Sequence, residues 1–465
     1  MRRSGRQAIP PLDWLAAAAG FTIGVMPPND PLRRSPGGES QRFAALSHFD
    51  FRLLWAGSFI STFGSQMQII AVNWHIFELL RGDTYSLSIL GLNLELGAEA
   101  LALGALGLVR VLPIIAFGLL GGMMADTYDR RKLIVITQLA SAIFAAVLAA
   151  ITLTGNETVG AIYLLTAAGS AATAFDNPAR QSLLPNLVPA EHLTNAVSLN
   201  TLNWQIATIA GPAAAGLLVG YFDIGLVYAL NAFSFVVFAG AVLIMRYRSK
   251  PRDRAGGLGW AALVEGVRFT YHKKIIWSTM LLDFFATLFS SARMMLPIVA
   301  GDLLGLGVQG YGLLATAQPV GALLAGLVMS LRREVHRQGV ALLVSVAVYG
   351  LATALFGLTT TFVLSYFLYA LTGAGDTVSM VIRNTIRQLN TPDRLRGRMT
   401  GVNMIFFMGG PQLGELEAGL VASVFGVSLS IFSGGLATVL LTLWVAYRYP
   451  QLRNYLSQAP EYASE

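Results

Sequence analysis

The 465-residue chain contains no cysteine, which excludes disulfides, thiolate catalysis and thiolate metal sites. It also contains no Gly-Lys dipeptide, so a phosphate loop of the G-K-[ST] type is absent and ATP bound to such a loop cannot drive it. The five histidines, at 48, 75, 192, 272 and 336, are too scattered for a helical H-x-x-x-H metal pair. No metal, no cofactor and no enzymatic centre is therefore expected. Charge is scarce too. Asp, Glu, Lys and Arg make up 12% of the chain, about half the share of an ordinary soluble protein.

Apolar residues fill the space that charge leaves, at 54% of the chain. A membrane helix needs roughly 20 of them in a row. Twelve stretches qualify: 53–80, 100–124, 133–154, 159–175, 199–221, 225–245, 275–300, 308–331, 339–358, 361–382, 399–424 and 427–447. An even number puts both termini on one side, and the 48 glycines suit close helix packing in lipid. The net charge of +7 could suggest nucleic acid, but its distribution argues otherwise. With both termini cytoplasmic, 29 of the 32 Lys and Arg fall on that side, and Arg81, Arg110 and Arg293 are the exceptions. That bias is a topology signal. The expected partners are a lipid bilayer, protons and a small molecule, with no nucleic acid, and the chain is expected to be a monomer.

Between the second and third spans the apolar run ends in Gly122-Met-Met-Ala-Asp126-Thr-Tyr-Asp129-Arg130-Arg131-Lys132. As a bare turn this is a solvated, self-neutralising cluster. The spacing Gly122, Asp126, Asp129, Arg130, Arg131 resembles the loop between helices 2 and 3 of major facilitator superfamily transporters, with Thr127 where that pattern prefers a basic residue. In that family the loop is a conformational latch. Phe49-Asp-Phe-Arg52-Leu-Leu-Trp55 is similar to the entry of the exporter branch that includes enterobactin and macrolide exporters. So are Asn177-Pro-Ala-Arg180-Gln181, Leu184-Pro185-Asn-Leu187-Val-Pro189 and Gly397-Arg398-Met399. The prolines of the first two are expected to stop span 4 and shape a short inner loop. Gly211-Pro212-x-x-x-Gly216 resembles a motif associated with antiporters, and a packing kink explains it equally well. The resemblance covers about residues 49–447 and implies an all-α membrane protein of twelve helices in two duplicated six-helix halves.

An internal offset points the same way. Adding 203 carries Gly118 to Gly321, Arg130 to Arg333, Arg180 to Arg383, Pro189 to Pro392, Gly211 to Gly414 and Gly216 to Gly419. The domains read as a disordered cytoplasmic extension over 1–48, a first half over 49–247, a linker with an amphipathic helix over 248–274, a second half over 275–447 and a cytoplasmic tail over 448–465. Residues 80–100 depart from the family. Ser86–Leu92 looks like a slipped copy of Ala100–Leu106, giving an enlarged outer loop that carries Glu95 and Glu99.

Polar residues inside the spans mark candidate sites. Ser61, Ser65, Gln68 and His75 recur at helical spacing on span 1, forming either a hydrogen-bonded seam or the wall of an aqueous cavity; the cavity is the preferred expectation. Thr173, Thr287 and Thr372 extend the candidate cavity to spans 4, 7 and 10, which line it in the superfamily. Many members of the branch have Gly-Asp where this chain has Gly64-Ser65, so a proton-carrying carboxylate is missing from span 1. Asp283, Asp376, Glu415 and Glu417 remain as proton-binding candidates, since burial makes a carboxyl easier to protonate. Arg110 lies about 21 Å above the inner end of span 2 and Glu415 about 24 Å above that of span 11. The two are expected to pair as a proton-sensitive lock between halves. The function expected is secondary export of a small, partly hydrophobic molecule of siderophore or drug type by proton antiport, from the bacterial inner membrane. The rivals are a proton-coupled importer of the same fold and a non-transporting scaffold or sensor.

Overall fold

The computed structural model describes residues 40–89, 92–248, 260–331 and 335–456. The extension expected over 1–48 falls mostly outside them, as do residues 249–259 of the expected linker, Arg333 and half of the expected tail. The helices are α1 (Phe49–Leu80), α2 (Ala98–Thr127), α3 (Arg130–Leu153), α4 (Val159–Leu183), α5 (Ala190–Tyr221) and α6 (Ile224–Ile244), followed by α7 (Trp260–His272). Then come α8 (Lys274–Phe289), α9 (Gly307–Ala315), α10 (Ala317–Leu331), α11 (Gln338–Leu358), α12 (Phe362–Leu389), α13 (Asp393–Phe425) and α14 (Val427–Arg448). Nine spans among the described residues are long and apolar enough to cross a membrane. Helices α1, α12 and α13 are as long, at 32, 28 and 33 residues, but more polar.

Caps set several ends. Asp129 accepts from the backbone N–H of Arg131, Thr158 from that of Ala161 and Asp223 from that of Gly225, each satisfying one free donor of a first turn. Gly426, at φ +86°, makes the tight joint between α13 and α14 that a side chain would strain. The segment expected as a loop over 80–100 is a hairpin. Strands β1 (Thr84–Ile89) and β2 (Leu92–Gly97) pair antiparallel from Thr84↔Gly97 to Ile89↔Leu92. Its repeated apolar and small residues alternate along an extended chain there.

Three spans differ from the sequence reading. Pro178 does not stop span 4, because α4 runs through it to Leu183. The one carbonyl that proline leaves without its helical donor, on Ala174, is covered by Gly121 of α2, which has no Cβ to block the approach. Span 7 is not continuous. It breaks after Phe289, resumes as a 3-10 turn at Arg293–Met295 and ends in a π turn at Val299–Leu303. Span 8 is interrupted at Thr316, three residues before Pro319, whose missing N–H leaves the Ala315 carbonyl without a helical donor.

The helices pack in two sets. In the first, α1 packs on α5 and α6, α2 on α4, and α3 on α4 and α6. In the second, α8 packs on α13 and α14, α10 on α12, and α11 on α12 and α14. The sets meet where α2 crosses α13 and α5 crosses α9. Both crossings are glycine on glycine. A Cβ on Gly104 would sit 2.8 Å from the Cα of Gly419, and one on Gly216 would sit 2.9 Å from the Cα of Gly312. Bare backbones can approach that closely and larger residues cannot. Both contacts lie toward the hairpin end of the bundle. Toward the other end, which carries the basic loops, α2 exposes Leu112, Ile115 and Met123, and α13 exposes Met404 and Phe407.

Substituting Gly104→Leu should force this crossing apart, at a cost of about 1–3 kcal/mol. Because the parent lacks cysteine, Arg81→Cys with Asp302→Cys gives a clean cross-linking pair at the hairpin end. Cross-linking should be efficient in the parent and fall severalfold once Gly104→Leu is added; an unchanged yield would contradict the packing described.

Candidate functional site

Between the two sets lies a cavity of about 270 Å³. Its walls include Gln66 and Asn73 from α1, Trp204 and Gln205 from α5, Gln318 from α10 and Asp376 from α12. Arg293, at the break after α8, also lines it, with Tyr311 and Tyr369.

The polar stripe expected to form the α1 wall is a seam instead. Ser61 donates to Gln138 Oε1 on α3 at 3.1 Å, Gln68 accepts from Asn231 on α6, and His75 Nδ1 lies 3.1 Å from the Tyr228 hydroxyl. Ser65 donates to its own helix at the Ser61 carbonyl. The cavity wall is the neighbouring face, Gln66 and Asn73. The reason is geometric: both faces of α1 carry polar groups, and the one turned to α3 and α6 finds partners already there. Thr287 and Thr372 likewise donate to backbone carbonyls, of Asp283 and Tyr369. Thr173 is exposed and donates to Gly169.

Charges cluster on the basic side of the cavity. Asp283 on α8 pairs with Arg383 Nη2 at 3.0 Å and with Arg387 Nη2 at 3.2 Å, both from α12. All three are nearly fully buried. Arg387 also donates from Nε to Thr279 Oγ1 at 3.1 Å and bonds Asn403 of α13. Arg383 is shared, since Asp376 Oδ1 lies 3.4 Å from the same nitrogen. Asp376 differs from Asp283 in one respect that matters: 40% of its side chain is accessible, on the cavity side. The first set has a counterpart. Arg180 pairs with Asp176 one turn earlier and reaches Ser58 at 3.1 Å, while Thr137 and Gln138 each donate to Asp176 at 3.1 Å.

Arg110 and Glu415 do not form an ion pair in this structure. Arg110 donates to Asn73 Oδ1 at 2.8 Å, and Asn73 donates in turn to the Tyr311 hydroxyl at 3.1 Å. Glu415, buried, reaches α2 one turn nearer the hairpin, against Gly107. Gln412, with its amide turned to suit both, donates to the Gly107 carbonyl and to Glu415, each at 3.1 Å. The small residue at 107 gives the carboxylate a close seat on α2. Glu417 is half-buried on the other side of α13. In the loop after α2, Arg130 donates to the carbonyls of Ala125 and Ser182, and Arg131 to those of Val242, Leu243 and Tyr247. Asp129 caps α3, Asp126 is exposed, and a side chain at Gly122 would meet open space.

The family model for transmembrane secretion effectors matches residues 40–461. The chain belongs to this family. It is a multi-pass membrane transporter of the major facilitator type. It is 24% identical over 416 residues to the enterobactin exporter EntS of Shigella boydii, covering 89% of this chain and 95% of that protein. To the enterobactin exporter EntS of Salmonella typhimurium it is 25% identical over 415 residues, with the same coverage. Among solved structures, the nucleoside transporter NupG matches with a TM-score of 0.66 at 15% identity, over 86% of this chain and 99% of that one. An occupied, inward-facing bacterial homologue of the lysosomal transporter Spinster matches with a TM-score of 0.66 at 15% identity, over 90% and 98%. These two likenesses concern the fold.

Sequence reasoning passed over Arg293, Tyr311 and Gln318. A cation inside a predicted span, followed four residues later by Pro297, was the available signal for the first. Asp283→Ala would leave two buried arginines without their shared partner. It should cost about 3–5 kcal/mol, read as a clear fall in unfolding temperature of the purified protein. The conservative Asp376→Asn, at the accessible partner, should lower it far less. Equal losses would contradict the arrangement.

Proposed function

We propose that this transporter exports a small, partly hydrophobic molecule of siderophore or drug type by proton antiport through alternating access. The observation that carries the reading is the cavity between two sets of helices, joined toward the hairpin end and parted toward the basic end. Twelve helices cross the membrane on this reading, in two duplicated halves. The recurrence of the same helix pairings in both sets supports it, as do Gly216 and Gly419, which sit at the 203-residue offset and serve the same role at the two crossings. The basic end, with both termini, faces the cytoplasm of a bacterial inner membrane, so the cavity opens inward. Export is the direction named for the enterobactin exporters it resembles.

Coupling is assigned to Asp376. It is the carboxylate that both meets the cavity and shares Arg383 with Asp283. Two arginines and two carboxylates balance while Asp376 is ionised; a proton there leaves one positive charge in excess and hands Arg383 wholly to Asp283. That change in charge is felt across α8, α12 and α13, which are the helices the cluster ties together. Asp126, Asp129, Arg130 and Arg131 form the latch at the basic end, with Asp126 left free to engage the second half in the opposite state.

In inverted vesicles, substrate uptake should collapse when a protonophore is added with ATP held constant, and Asp376→Asn should lower proton-driven uptake at least about tenfold. Transport that survives loss of both proton and sodium gradients would remove the antiport reading, and counterflow in the other direction would make the protein an importer.

A further inference from the structure

The cavity described above holds a cation for which the described residues supply no hydrogen-bond or ion-pair partner. Arg293 is exposed, lines the cavity and makes no side-chain hydrogen bond or ion pair among the described residues. The backbone that presents it is built for the purpose. The Ser290 carbonyl, freed where α8 ends, accepts from the Tyr349 hydroxyl at 3.1 Å, and Ser290 Oγ lies 2.7 Å from Thr438 Oγ1. Pro297, four residues beyond, has no N–H for the Arg293 carbonyl, which takes the Leu296 N–H in a 3-10 turn instead. The break is therefore fixed on both sides and Arg293 stands at its apex.

The other charges nearby are already engaged. Asp376, the carboxylate of the cavity wall, is held by Arg383 at 3.4 Å. Arg110 is held by Asn73. Glu415 feels the charge of Arg293 but makes no ion pair with it, turning to Gly107 and Gln412. What remains for a ligand is one guanidinium, flanked by Tyr311 and Tyr369, with the amides of Gln66 and Gln318 and the exposed face of Trp204. An unpaired cation this deep in a membrane is costly unless water or a ligand meets it. A guanidinium suits carboxylates and other planar oxyanions, which it can grip through two parallel hydrogen bonds.

We propose that Arg293 is the specificity residue of the cavity and selects substrates that carry an anionic group on or beside an aromatic ring. This rests on the cavity being the substrate site and narrows its substrate class: an acid fits and an organic cation does not. An anion leaving the cytoplasm also moves down the interior-negative membrane potential, which adds to the driving force.

The test uses two probes of one shape and opposite charge, 2-naphthoate and 2-naphthylmethylammonium, titrated into the full-length protein in nanodiscs without any gradient. Empty nanodiscs correct for partition into lipid. The wild type should bind naphthoate at least about tenfold more tightly than the cation. Arg293→Gln should remove that preference, and Arg293→Lys should keep part of it, as a point charge without the planar fork. Equal binding of the two probes by the wild type, no binding of naphthoate, or a preference that survives in Arg293→Gln would overturn the proposal. Should Arg293→Gln fail to fold, the wild-type preference and Arg293→Lys still decide. The outcome is separable from transport: selective binding with no proton-driven flux keeps Arg293 and sinks the antiporter, whereas flux without charge preference does the reverse.

Discussion

The two sets of helices meet backbone to backbone where neither has a side chain in the way. At Gly104 with Gly419, and at Gly216 with Gly312, backbone lies on backbone, and nothing larger than hydrogen fits. Everything else at that end follows from the approach. It brings Asn73 within reach of Tyr311, sets the Trp74 ring over the Tyr311 ring at 5.8 Å between centroids, and lets Arg81 meet Asp302 at 2.7 Å. Apolar association has little driving force in lipid, so close packing of small residues is what holds such a crossing together.

Magnitudes separate what is rigid from what can part. Arg81 and Asp302 are substantially exposed, and an ion pair of that kind is worth at most about 1 kcal/mol. The links inside the second set are of another order: Asp283, Arg383 and Arg387 are buried, and removing one partner from such a cluster costs about 3–5 kcal/mol. In the first set the links between helices are neutral donors and acceptors on an ion-paired helix: Thr137 and Gln138 of α3 donate to Asp176 of α4, and Arg180 of α4 donates to Ser58 of α1. Each set is thus far harder to deform than the boundary between them is to open. A transporter that rocks two stiff bodies around a central cavity needs that ordering. Asp376 is the one member of the second set's cluster accessible from the cavity.

The long apolar helices and the membrane-transporter family were legible because they depend on composition and local spacing, which lipid reads directly. Glycines at constant offset also marked the right places, Gly216 and Gly419 among them. What sequence could not supply was which face of a polar helix looks where. Ser61, Gln68 and His75 on α1 share a face with each other, yet that face meets α3 and α6, while Gln66 and Asn73 meet the cavity. Periodicity fixes faces relative to one another and says nothing of their neighbours. The same limit applies to Arg110 and Glu415, which were expected to pair: Arg110 donates to Asn73 instead, and Glu415 sits against Gly107. Breaks were hidden for a different reason. The interruption before Arg293 depends on Tyr349 and Thr438, contributed from 59 and 148 residues away.

Distances at the two ends of the bundle test this account most directly. The chain has no cysteine of its own, so spin labels can be placed at Asn156 and Thr360 on the hairpin end, and at Lys132 and Arg396 on the basic end, with no background. Electron-electron distance measurements in nanodiscs should give a short, narrow distribution for the first pair and a long one for the second. Moving from alkaline to acidic buffer should lengthen the first and shorten the second together. Two distances that move in the same direction, or a basic end that is closed while the hairpin end is closed, would contradict it.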